Sequence, residues 1–94
     1  MQYQHISVPS NGAQITIDSK GQWHIPDNPV IAYIEGDGVG QDISPVMRDI
    51  VDAAVSHAYQ GDKQIHWMEV FNGEKAAALY DGDWFPQETL HAVR

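Results

Sequence analysis

The chain has 94 residues, 13 acidic side chains against 5 basic ones, a formal charge of -8 and no cysteine. That is one domain at most, because domains commonly run to roughly 100–150 residues, and one this small buries only about 60–65% of the surface it exposes when unfolded. The acid excess argues against a nucleic-acid groove or an anionic membrane surface, which need clustered Lys and Arg. The absence of cysteine removes disulfides, thiolate zinc sites and a thiol nucleophile.

The start, Met1-Gln2-Tyr3-Gln4-His5, lacks the charged and then apolar regions of a leader. No apolar run approaches the roughly 20 residues of a membrane span, so the expected location is the cytoplasm. Residues 1–13 carry Pro9, Asn11 and Gly12 and read as an irregular lead-in. Gln14–Ile17 and Gln22–Ile25 alternate at period two around Asp18-Ser19-Lys20-Gly21, which predicts a β-hairpin. Pro26-Asp27-Asn28-Pro29 then breaks the chain. We therefore divide a single 1–94 domain into a lead-in with hairpin (1–29) and an α/β segment (30–94).

Val30-Ile31-Ala32-Tyr33-Ile34-Glu35 is apolar almost throughout, as in a strand covered on both faces. A glycine loop, Gly36-Asp37-Gly38-Val39-Gly40, follows. Ser44 then suits an N-cap and Pro45 a first helical position, and Met47, Ile50, Val51, Ala54 and Ala58 mark one apolar face of a helix over about 45–59. Gly61 is available for a left-handed cap. Residues 65–71 read as a second strand, parallel to the first, and the tail holds a helix near 74–80, an Asp81-Gly82-Asp83 turn and a helix from Pro86 to Arg94. The fold class is α/β, with a small partial sheet, flanking helices and an N-terminal hairpin.

Only the glycine loop hints at chemistry. A dinucleotide fingerprint wants its third glycine where Gln41 stands, and no Gly-Lys-Ser/Thr follows for a Walker loop. Three glycines still let backbone approach either a ligand or a neighbouring loop, at the strand end where open α/β sheets bind ligands. Glu35, Asp37 and Asp42 crowd the loop, as a hard-cation site or as solvated charges. Asp81 and Asp83 open like a calcium loop, but Phe85 and Pro86 break the pattern. His5, His24, His57, His66 and His91 lack metal-ligand spacing, and no serine sits in a Gly-x-Ser-x-Gly elbow. Trp23, Trp67 and Trp84 read as core or interface anchors.

Residues 28–40, from Asn28-Pro29-Val30 through Gly36-Asp37-Gly38-Val39-Gly40, strongly resemble the N-terminal region of bacterial NADP-dependent isocitrate dehydrogenases. The similarity continues through Asp42-Ile43-Ser44-Pro45, Val51–Val55, Trp67–Lys75 and Trp84–Leu90, nearly the whole chain. Two local departures stand out: Tyr80–Trp84 is one residue shorter than the family's usual segment, and Ala76-Ala77-Ala78 replaces a more polar stretch. The resemblance implies oxidative decarboxylation of isocitrate to 2-oxoglutarate, with NADP taking the hydride and Mg²⁺ or Mn²⁺ polarising the substrate. It implies that Gly36, Asp37, Gly38, Val39 and Gly40 lie beside the nicotinamide end of the cofactor. The family's substrate, metal and acid–base residues lie beyond the matching segment, so the isolated chain is expected to be a truncated, inactive piece that binds no cofactor tightly. The partner expected is a second copy or a full-length dehydrogenase; a stand-alone, non-catalytic binding module derived from the family is the alternative.

Overall fold

The computed structural model describes residues 3–94, in the order β1 (Thr16–Ile17), β2 (Trp23–His24), β3 (Val30–Tyr33), α1 (Gly40–Tyr59), β4 (His66–Glu69), α2 (Glu74–Leu79) and α3 (Gln87–Val93). β1 and β2 form the antiparallel hairpin, with Thr16 opposite His24 and Ile17 opposite Trp23. The Asp18 carboxylate organises its turn by accepting the N–H groups of Lys20 and Gln22 at 2.9 and 3.0 Å, and it meets His24 Nε2 at 3.1 Å. The hydrogen bonds from Gln22 and His24 hold the Asp18 carboxyl below the ordinary aspartate range.

β3 and β4 pair in parallel, Val30 with His66 through Tyr33 with Glu69, and α1 is the crossover between them. Among the described residues the sheet has these two strands alone. One of its faces carries the core: Met68, Val70, Phe71 and Ala76 pack with Ile6 of the lead-in, and Tyr3, Val30, Tyr80 and Ala92 close around them. Thr89 of α3 is fully buried and donates its hydroxyl to the Phe71 carbonyl at 2.6 Å.

The lead-in is therefore ordered by the far end of the chain. Glu88 of α3 accepts the backbone N–H groups of Gln4, His5 and Ile6 at 2.6, 3.0 and 3.3 Å, together with the Tyr80 hydroxyl. Desolvation pushes the Glu88 carboxyl up, but these hydrogen bonds outweigh it and hold the carboxyl below its ordinary range. Desolvation and the carboxylate beside it push the Tyr80 phenol far up. Gly12 completes the contact, because a Cβ there would come within 2.4 Å of Val30 Cγ2.

Two expectations are corrected. α1 begins at Gly40, with Val39 as its N-cap residue, so Ser44 caps nothing and Pro45 lies inside the helix. Val39 donates no side-chain cap; the first turn closes through the N–H groups of Asp42 and Ile43 on the Val39 carbonyl. Ser44 is buried, and its hydroxyl donates to the Glu35 carbonyl at 3.3 Å. Anchoring Gly40 and Ser44 to Glu35 fixes how the helix is rolled. The side bearing Ser44, Arg48, Val51 and Val55 faces the sheet, with Arg48 lying 4.7 Å over the Tyr33 ring. Trp67 of β4 donates its indole N–H to Asp52 of the helix at 2.9 Å.

The second correction follows from that roll. The stripe of Val39, Ile43, Val46 and Ile50 is 74, 62, 56 and 65% exposed, and Met47, Ala54 and Ala58 are exposed as well. Periodicity located an apolar stripe but not which side the sheet would take. β3 is likewise only half-covered, with Ala32 exposed. Of the tryptophans, Trp67 is half-buried, while Trp23 and Trp84 stand exposed. The radius of gyration, 14.9 Å, exceeds the about 12 Å of a closed domain of this length.

Candidate functional site

The glycine loop leaves β3 at its carboxyl end and runs directly into α1. Gly36 and Gly38 have φ of 80° and 59°, where a side chain is strained. Gly40 is required for another reason: a Cβ there would come within 2.3 Å of the Glu35 carbonyl oxygen, so the helix start can lie against the strand end only without one. The Gly40 N–H donates to the Asp37 carbonyl at 3.1 Å and the Gln41 N–H to Gly38 at 3.2 Å. Val39 projects at the tip as the most exposed large apolar side chain among the described residues.

The loop is tied to the turn after β4. Asp37 Oδ1 accepts the backbone N–H of Glu74 at 2.9 Å, at the start of α2. Gly73, at φ 83°, makes room for it, since a Cβ on Gly73 would come 2.7 Å from the carboxylate. Beside this contact Lys75 Nζ bridges the two strand ends, reaching Glu35 Oε1 at 2.8 Å and Glu69 Oε2 at 2.6 Å. Partial burial lowers the Lys75 pKa, yet the hydrogen bonds it donates to the two glutamates outweigh it and hold the ammonium above its ordinary range. Burial, reinforced by the Glu69 charge, pushes the neighbouring Tyr33 phenol up.

The three carboxylates that crowd the loop in sequence are thus dispersed. Glu35 is paired with Lys75, Asp37 with a backbone amide, and Asp42 stands exposed in the first turn of α1. No group of three or more potential metal ligands occurs among the described residues. Among the same residues no helix is long and apolar enough to cross a membrane. Sequence reasoning passed over Gly73 and Lys75 as site residues; both fall inside the Trp67–Lys75 stretch that carries the family resemblance, which was the available signal.

The loop's chemistry is that of a shaped apolar contact. Of its two exposed side chains Val39 is aliphatic and Asp37 is engaged by the Glu74 N–H, its backbone is free of Cβ atoms at three positions, and the acid at Asp42 disfavours a phosphate at the helix start. It fits the face of a flat ring better than an anion.

No protein-family model matches the chain. Known proteins do. Isocitrate dehydrogenase [NADP] of Pseudomonas aeruginosa is 57% identical over 95 residues, covering all of this chain and 23% of the relative. Isocitrate dehydrogenase [NADP] 1 of a Psychrobacter species is 52% identical over 94 residues, and isocitrate dehydrogenase [NADP] of Coxiella burnetii is 53% identical over 93. The chain spans 22% of the length of each of these two. The protein is an isocitrate-dehydrogenase-like segment, equivalent to the N-terminal part of the NADP-dependent enzymes.

Proposed function

We propose that the segment supplies one wall of a cofactor site, with the backbone of Gly36, Asp37, Gly38 and Gly40 and the side chain of Val39 against the nicotinamide end of NADP. The observation that carries this is the loop itself, three glycines and an exposed valine at the carboxyl end of a parallel strand. When bound, the cofactor supplies the hydride acceptor for isocitrate oxidation, and the loop's part is to seat the ring. The chain's own residues fit that end of NADP and not a divalent cation, so Mg²⁺ or Mn²⁺ and the acid–base groups belong to other parts of the enzyme. The isolated chain turns nothing over, because positioned proton-transfer groups and a metal cage are what the reaction requires.

The segment works as one unit, its lead-in held to its α/β part by Glu88 through Gln4, His5 and Ile6, and it acts in contact with the remainder of a dehydrogenase polypeptide. The exposed Val39–Ile43–Val46–Ile50 stripe of α1 is the surface that supports this. Its relatives are continuous chains four to five times longer, since it spans 22–23% of them. Self-association through the same stripe is opposed by a charge of -8 on each copy.

A chimera tests the reading: the Pseudomonas aeruginosa relative with its matching segment replaced by this chain. It is expected to reduce NADP with isocitrate and Mg²⁺, whereas the 94-residue chain alone stays at the rate without protein. A chimera that folds and binds isocitrate but shows no NADP reduction contradicts the proposal.

A further inference from the structure

We propose that Asp37 is a positioning residue: its carboxylate does not face the cofactor but tethers the glycine loop to the β4–α2 turn, holding the loop in one shape before NADP arrives. This deepens the function proposed above and rests on it. The loop's root is fixed independently of Asp37, by Gly40 lying against the Glu35 carbonyl and by the Ser44 hydroxyl on that same oxygen. Its tip is different. Two of the first three loop positions are glycines at positive φ, so the backbone there has more conformations to lose than any other. Among the described residues, the side-chain hydrogen bond that joins this tip to another element is Asp37 Oδ1 to the Glu74 N–H, 2.9 Å long.

The receiving side is shaped for that carboxylate. Gly73 leaves room that a Cβ would fill, and its N–H is held by the Trp84 carbonyl at 2.8 Å, which fixes the turn that presents the Glu74 amide. Lys75, the nearby cation, is committed to Glu35 and Glu69. Asp37 is therefore bound through geometry, by a backbone donor aimed at one oxygen. A loop tethered in this way does not have to be ordered by the cofactor, so the tether acts on binding and not on the chemical step. The acceptor oxygen matters more than the charge, and Asn keeps that oxygen.

Two measurements on Asp37→Ala and Asp37→Asn test this. In the isolated chain, amide hydrogen exchange at Glu74 is expected to quicken about tenfold in Asp37→Ala and to stay within about threefold of the parent in Asp37→Asn, with the β3–β4 amides unchanged. In the active chimera, Asp37→Ala is expected to raise the NADP KM about tenfold with kcat within about twofold and the isocitrate KM unmoved, and Asp37→Asn to restore the parent value. Unchanged Glu74 exchange in Asp37→Ala overturns the tether. Asp37→Asn that binds NADP several-fold more tightly than the parent also overturns it, because the charge would then be facing the cofactor. An inactive parent chimera would defeat the function proposed above, while the Glu74 exchange would still decide the tether.

Discussion

The two faces of the β3–β4 sheet are built to different standards. On one, the lead-in, α2 and α3 close over Met68, Val70 and Phe71, and a single carboxylate, Glu88, gathers three backbone amides 82 to 84 residues away and the phenol of Tyr80. On the other, α1 touches the sheet through Ser44, Arg48, Asp52 and their neighbours and turns a row of aliphatic side chains outward. A chain this short has apolar surface for one good core, and it spends it on the face that holds its own ends together. The outward row is left exposed.

Truncating the core should therefore cost far more than truncating the row. Val70→Ala is expected to lose about 2–3 kcal/mol in a denaturant titration, from the two methyl groups removed and the cavity they leave. Ile50→Ala, removing a larger aliphatic group from the outer face, should change the stability of the isolated chain by less than about 0.5 kcal/mol. If the two variants lose equal stability, the faces are not different in kind.

Much of this was legible in the sequence, and what was not has a common cause. The hairpin, the parallel β3–α1–β4 unit and the two tail helices all announce themselves through local signals: alternation, glycine and proline punctuation, and helical spacing. The start of α1 was misplaced because Ser44-Pro45 has the composition of a cap, while the structure uses the loop backbone as the first turn and employs Ser44 to anchor the helix to Glu35. The lead-in looked irregular because its order comes from Glu88, 82 to 84 residues away, and no local pattern encodes that pairing. The glycine loop was visible as a loop, but the partner of Asp37 lies 37 positions downstream, so its carboxylate read as one of three crowded charges.

Glu88→Gln sharpens the comparison on the well-built face. It keeps one acceptor but sets an amide against converging N–H donors, and should cost about 2 kcal/mol at neutral pH. The Glu88 pKa is lowered on folding, so its contribution is fully present above the unfolded value of about 4.3 and is lost as pH falls through the lower folded value. The stability gap between parent and variant should therefore narrow in acid. A gap that persists unchanged at low pH would mean that shape, and not the ionised carboxylate, holds the lead-in.

Lys75 joins the two strand ends, and its effect should be smaller. Lys75→Met leaves Glu35 and Glu69 without their shared cation, and should cost about 1 kcal/mol or less at neutral pH because the site is open to water. With the pKa raised on folding, that contribution is present below the unfolded value of about 10.4 and disappears as pH rises through the folded one. Thermal melts of parent and variant should converge only in strong alkali.

The proposed cover of the outer face of α1 by the rest of a dehydrogenase can be measured directly. The chain has no cysteine, so Ile50→Cys places a single thiol on that face and its labelling by a maleimide can be followed on one peptide by mass spectrometry. Labelling is expected to be rapid in the isolated chain, at least about tenfold slower in the folded chimera with the Pseudomonas aeruginosa relative, and rapid again once the chimera is unfolded. Equal rates in the isolated chain and the folded, active chimera would contradict it.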